Sequence, residues 1–372
     1  MKRRGFLLAA GATAVGAALA TTTPGSARAA TAAGSAGVFR VPVEDTRHTR
    51  TWMAWPDSTS IWGNKLSGVQ ADIALIARTI AKYEPVVMCA NSGSAAKARS
   101  LCGSTVTVIS SVPVDDCWMR DSGPVFRTGG GGGLDVVGLN FNGWGNKQTH
   151  AKDALVAERV AAWAGVPFTR AALVGEGGAI EQDGAGTLMA TRSSLVNRNR
   201  NPGMTERQLE TAMCAAYGAS KVIWFDGVVG QDITDDHVDA TSRFLAPGES
   251  LTQMPLSTDA DVYARDARQQ FNALAGATTS TGQRMDAMKL QGPDYDKIRS
   301  TNRDFLASYA NFYLCNGAVI SAHFGDTRAD QAAKATLARL YPGLVIEQLN
   351  IDRLGTGGGG IHCVTQQQPV AS

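Results

Sequence analysis

Helix-like and strand-like spacings take turns along this chain, and that alternation constrains its fold more than any single motif. Across residues 69–83, apolar side chains fall at Ile73, Ile76, Ala77 and Ile80, the spacing that lines one helix face. Segments 151–164, 205–217 and 330–340 read the same way. Short β-rich stretches come after them, among them Val86-Val87-Met88, Val222-Ile223-Trp224-Phe225 and Val345-Ile346. Helices and strands that alternate around one core define an α/β protein. Two hairpin loops are also expected. Residues 129–133 would join the strand-like segments 124–127 and 134–139, and residues 183–186 would join 179–182 to 187–190. The stretch 263–303 is more polar, and its elements stay open.

The first thirty residues stand apart. Lys2-Arg3-Arg4-Gly5-Phe6-Leu7-Leu8 leads into a small-residue apolar run, and Ala27-Arg28-Ala29 reads as a cleavage site. The paired arginines resemble a twin-arginine export signal over 1–30, with a Sec signal or an uncleaved anchor as alternatives. The run is shorter than the roughly 20 apolar residues a membrane span needs. The expectation is an exported protein whose mature chain starts near Ala30, with no membrane association after cleavage. No linker divides the remaining chain, so 31–372 reads as one domain. With 44% hydrophobic residues in 372, the chain has ample material for a core. A net charge of +2, with basic residues scattered, leaves no electrostatic footprint for nucleic acid. The six cysteines form no C-x-x-C pair, which argues against a zinc or thioredoxin-like site. A protein exported already folded has its thiols set in a reducing compartment, so most of them read as buried small apolar residues.

Four segments could carry chemistry. Gly357-Gly358-Gly359-Gly360 precedes Ile361-His362-Cys363-Val364-Thr365, and such glycines let backbone approach a ligand or turn sharply. Cys363 is then either a reachable thiol or a core cysteine behind a turn. On a strand His362 would point away from Cys363, which makes it a packed or capping histidine. In Thr234-Asp235-Asp236-His237-Val238-Asp239, a strand would aim His237 and Asp239 to one side. Imidazole exchanges a proton near neutral pH, and a neighbouring carboxylate can hold the ring or a cation. A purely structural His237 fits equally well. The acids also resemble a calcium loop, but the spacing and glycine of an EF-hand are missing, so no metal is expected. Trp118, in the segment 115–124, offers a flat apolar wall, and Asp121 precedes the turn-forming Ser122-Gly123-Pro124. Glu176-Gly177-Gly178 sets a carboxylate beside flexible backbone. Turn chemistry explains either of the last two alone. Together, one Cys, one His and three carboxylates would build a small anionic pocket. Carboxylates recognise a planar guanidinium through paired hydrogen bonds. The bound cation would lower the thiol pKa and offer an electrophilic carbon.

In one order along the chain stand Thr51-Trp52-Met53-Ala54-Trp55-Pro56, Trp118-Met119-Arg120-Asp121, Asn140-Phe141-Asn142-Gly143-Trp144-Gly145, Glu176-Gly177-Gly178, Asn199-Arg200-Asn201-Pro202, Thr234 to Asp239, Ser308-Tyr309-Ala310-Asn311 and Gly358 to Gln367. This series resembles the agmatine deiminases and the related bacterial, Porphyromonas-type peptidylarginine deiminases. The resemblance implies a pentein fold, a five-bladed α/β propeller with a central active site, and makes 31–372 a single deiminase domain. It also implies hydrolysis of a guanidine to a ureido group and ammonia without metal or cofactor. By analogy Cys363 is the nucleophile, His237 the acid/base and Glu176 the residue that orients it. Asp121 and Asp239 would grip the guanidinium, Trp118 would line the pocket and Asn311 would lie near it. Three positions depart from the family's pattern. Asp236 replaces a glycine and would either raise the pKa of His237 or face solvent. Cys117 stands for a serine, with a packing role expected, and Arg198 for a proline.

Two substrates compete. Segment 140–147 contains no arginine with which to hold a substrate carboxylate, which favours agmatine and the product N-carbamoylputrescine. Export favours arginine in peptides, including C-terminal arginine. An amidinotransferase and an inactive secreted binding protein are the further alternatives.

Overall fold

The computed structural model describes residues 38–371 apart from 130 and 303. The export signal expected over 1–30 lies outside them. Among the described residues the strands form five sheets. Four sheets repeat one plan. An antiparallel hairpin is followed by a helix, and the helix returns the chain to a third strand parallel to the second. The first of these has strands Val125–Gly129, Gly133–Gly138 and Phe168–Arg170, with helix Val156–Ala164 as crossover. The other three comprise Ile180–Gln182, Thr187–Thr191 and Lys221–Phe225; Ser242–Ala246, Glu249–Met254 and Asp286–Gln291; Tyr313–Cys315, Ala318–Ala322 and Val345–Leu349. The fifth sheet varies the plan. His48–Ala54 pairs antiparallel with the last strand, Gln366–Pro369, and parallel with Val86–Cys89, which pairs with Val106–Ile109. Parallel neighbours need a crossover, and a helix supplies each one.

Helix Leu66–Ile80 buries Val69, Ile73, Ile76 and Ile80, the face read from the sequence. Helix Glu206–Tyr217 starts at a capping box in which Thr205 and Gln208 satisfy each other's backbone, and it ends at Gly218 with φ 67°. Both glycine-bearing loops, 129–133 and 183–186, turn hairpins as expected. The segment 151–164 is not one helix. A 3-10 turn, Asp153–Leu155, precedes Val156–Ala164. The open stretch 263–303 holds most of helix Val262–Gly276 and strand Asp286–Gln291.

Two expectations of strand geometry fail. Residues His362–Val364 form a 3-10 turn ahead of Gln366–Pro369, and His237 caps another, Val238–Ala240. These belong to a recurring feature: a short turn or bend precedes the first strand of each unit. The others are Met119–Ser122, Gly177–Ala179 and the bend at 309–311. No described helix is long and apolar enough to cross a membrane.

Candidate active site

The four helical turns pack together, the bend at 309–311 joins them through hydrogen bonds that link Asn311 to Asp239 and His362, and distant residues come to one place. Trp118, Asp121, His237, Asp239 and Cys363 line one cavity of about 60 Å³, with Gly357, Gly358 and Gly359 on its wall. Glu176 and Asn311 stand immediately behind it. Gly178 marks where the polar groups converge. A Cβ placed there would lie 2.8 Å from Asp121 Oδ1, 2.8 Å from His237 Nδ1 and 3.1 Å from Asp239 Oδ2. Only glycine leaves room for all three. At Gly359 an added Cβ would run into the Trp118 ring. These two glycines therefore serve close approach, since neither has a positive φ.

Each side chain is held by named partners. His237 Nε2 lies 3.3 Å from Glu176 Oε2, and Nδ1 lies 3.7 Å from Asp121 Oδ1. Glu176 is fully buried and accepts from Arg200 Nε at 2.8 and 3.1 Å. Arg200 also donates to Asp235 Oδ2 and to the carbonyl of Thr234, each at 2.8 Å, which ties the loop before His237 to Glu176. Asp121 accepts from Trp144 Nε1 at 2.9 Å and from the amide of Gly178 at 3.1 Å. Asp239 Oδ2 lies 2.7 Å from His362 Nδ1, while its buried Oδ1 has no partner. Asn311 places Oδ1 3.4 Å from Cys363 Sγ and donates from Nδ2 to the carbonyl of Asp239 at 3.2 Å. Trp118 is fixed edge-on by Nε1 donating to Asp116 Oδ2 at 2.9 Å.

The electrostatics follow from crowding carboxylates with few cations. Burial alone would lower the pKa of His237, but Asp121, Glu176 and Asp239 outweigh it and hold the ring at about 9. Burial pushes Asp121 up to about 6, with Asp239 and Glu176 adding to the rise and His237 opposing it. Burial pushes the Cys363 thiol well above its ordinary value, and the charges of Asp239 and Asp121 push it further. Glu176 ends below the usual carboxylate range, because Arg200 and His237 overcome its burial. The ligand-free site is therefore a thiol beside an imidazolium, with negative charge to spare.

A larger cavity of about 600 Å³ shares His237, Leu306, Gly357 and Gly358 with the first. Asp232, Asp259, Asp261 and Asp304 line it, together with Tyr263 and Phe305. Among the described lining residues of both cavities there is no Lys or Arg.

The departures noted in the sequence take definite places. Asp236 neither faces solvent nor approaches His237. It is buried, accepts from the amide of Val228 at 3.0 Å, and shares a proton-rich pair with Asp266. Its φ of 71° lies in the left-handed region, which accounts for glycine as the ordinary occupant. Cys117 is fully buried in the core, and all six cysteines are free thiols. Arg200, Trp144 and Glu44 contact site residues without having been singled out. Arg200 and Trp144 did lie within recognisable motifs, whereas Glu44 carried no signal.

The sequence profile of the Porphyromonas-type peptidyl-arginine deiminases matches residues 40–369. A Streptomyces coelicolor protein provisionally named agmatine deiminase is 37% identical over 341 residues, covering 89% of this chain and 99% of its own. The agmatine deiminase of Stutzerimonas stutzeri is 31% identical over 353 residues, covering 89% of this chain and 95% of its own. Among solved structures, the agmatine deiminase of Enterococcus faecalis superposes with a TM-score of 0.83 at 27% identity, covering 90% of this chain and 96% of that one. The chain belongs to the Porphyromonas-type peptidyl-arginine deiminase family, enzymes that hydrolyse guanidino C–N bonds.

Proposed function

We propose that this protein hydrolyses agmatine to N-carbamoylputrescine and ammonia through a covalent adduct on Cys363. One observation carries the reading: the buried carboxylates of Asp121 and Asp239 flank the thiol, Asp121 short of a cation and Asp239 with an unpartnered oxygen, and the cavity beyond them is lined by acids without a described cation. A guanidinium supplies the charge the pocket lacks, and an amine at the far end suits the acidic vestibule. A far-end carboxylate would meet repulsion there.

The chemistry follows from the resting state. Bound between Asp121 and Asp239, the guanidinium cancels the field that keeps Cys363 protonated, so the thiol releases its proton to water when substrate arrives. The thiolate adds to the central carbon. His237, already an imidazolium, gives its proton to one NH2 group, and the C–N bond breaks to release ammonia. The S-alkylthiouronium that remains carries the rest of the substrate. Neutral His237 then takes a proton from water, whose oxygen adds to the same carbon, and cleavage of the C–S bond yields the ureido product and the thiolate. Glu176, clamped by Arg200, fixes the ring through both halves of the cycle.

The same reading takes the five repeated units as blades of a closed pentein propeller. The sharing of one sheet by the first and last strands supports this. The basic start of the chain supports export as the setting for the reaction. The test is to incubate the protein with agmatine, free arginine and a C-terminal-arginine peptide, and to measure ureido product and ammonia. Agmatine is expected to give the highest kcat/KM. Preference for the peptide would reassign the substrate, and no product from any guanidine would remove the reading.

A further inference from the structure

Behind Cys363, away from the cavity, the second histidine of the site sits between two carboxylates. His362 Nδ1 lies 2.7 Å from Asp239 Oδ2, and Nε2 lies 2.9 Å from Glu44 Oε2. All three residues are buried. Ionised carboxylates only accept hydrogen bonds, so the ring donates from both nitrogens. Its outer anchor is rigid. Glu44 accepts from Arg243 Nη2 at 2.9 Å and from the amide of Leu314 at 2.9 Å. The main chain of His362 is fixed as well, its amide donating to Asn311 Oδ1 at 3.1 Å and its carbonyl accepting from Arg120 Nε at 3.4 Å. The ring therefore has one place to sit, and that place determines which way Asp239 turns.

We propose that His362, backed by Glu44, is a positioning residue: by anchoring Oδ2 of Asp239 it fixes how that carboxylate is presented to the guanidinium. This rests on the reading that Asp239 grips the substrate. Three observations support it. Oδ1 is buried without a partner, although the residue is only 1% exposed. Oδ2, the anchored oxygen, is also the one that faces the site, 3.8 Å from Cys363 Sγ and 3.1 Å from where a Cβ at Gly178 would lie. Burial would raise the pKa of Asp239, and the hydrogen bond and charge of His362, together with the charges of His237 and Arg243, bring it below its ordinary value. The histidine thus fixes both the direction and the charge of the group it touches, without touching the substrate.

Two isosteric variants separate this role from simple packing. Asn at 362 places an amide nitrogen where Nδ1 stood and preserves the bond to Asp239. Gln places its amide nitrogen where Nε2 stood and preserves only the bond to Glu44. His362→Gln is expected to raise KM for agmatine about tenfold to a hundredfold, the effect of losing a hydrogen bond to a charged group. Its KM should also climb as the pH is lowered, because Asp239 now takes up a proton within the working range. His362→Asn should raise KM less, and kcat should move less than KM in both. Equal effects of the two variants, or a loss confined to kcat with an unchanged pH profile of KM, would overturn the proposal.

If thermal melting shows that neither variant folds, Glu44→Gln decides. It weakens the outer anchor, so KM should rise severalfold, and an unchanged KM overturns the proposal. Asp239→Asn separates the two levels. If it leaves KM unchanged, the assignment of Asp239 itself is wrong. If it raises KM while His362→Gln does not, only the positioning role falls.

Discussion

Asp239 stands between two histidines whose surroundings differ in one respect. Behind it, His362 joins a network in which Glu44 and Glu181 are matched by Arg243, with Arg120 3.6 Å from Glu44. In front, His237 faces Asp121, Glu176 and Asp239, and the nearby arginine, Arg200, is spent on Glu176 and Asp235. The pKa directions record the contrast. Glu44 is held well below the usual carboxylate range despite its burial, whereas burial leaves Asp121 at about 6. Leaving a buried carboxylate short of a partner is costly, so a fold that keeps such groups keeps them for a ligand. One side of Asp239 carries its own arginines, although burial still raises Glu181 there; the other is completed by a cation.

The comparison predicts opposite responses to mutation. At the back, Arg243→Met leaves Glu44 and Glu181 buried without their cation. Chemical denaturation should show a loss of about 3–5 kcal/mol, with the KM for agmatine of the folded protein changed less than tenfold. A stability loss within error would mean that the back network is not the structural half. In front, Asp121→Asn should raise KM about tenfold to a hundredfold while leaving stability unchanged or improved, because it removes an under-compensated charge. Its pH profile sharpens the point. In the wild type, kcat/KM should fall as pH drops through about 6, where Asp121 takes a proton, and again above about 9, where His237 loses its own. The variant should lack the acid limb, and its alkaline limb should move below about 9, because Asp121 is the largest of the charges that raise His237. The same His237 shift contributes stability that is fully present below the ordinary histidine pKa of about 6.5 and lost as pH rises through about 9.

Much of this was legible in the chain. The periodicity of Ile73, Ile76 and Ile80 and the hairpin glycines act within a few residues, and local rules capture them. Strands Ser242–Ala246 and Glu249–Met254 mix polar and apolar side chains, and helix Val262–Gly276 escaped because its buried face includes Asp266 and Gln270. The seven site residues named from the sequence fall in or directly behind the cavity, but two of the local reasons were wrong. His237 and Asp239 share a side because of a 3-10 turn, and His362 turns from Cys363 within another. Glu44 was beyond sequence reasoning, since it meets His362 from 318 positions away. Asp236 misled for a physical reason too: its chain position suggested a neighbour of His237, while its left-handed backbone sends the carboxyl to Asp266.

The central claim is that the cation-deficient pocket delivers a guanidinium carbon to Cys363. The direct measurement is acid quenching of the protein during turnover of agmatine, followed by peptide mapping by mass spectrometry. The account predicts an adduct on Cys363 with the mass of agmatine less ammonia, absent in Cys363→Ser, together with a fall in kcat of at least about a thousandfold in that variant. Full turnover by Cys363→Ser, or an adduct carried by another of the six cysteines, would contradict it.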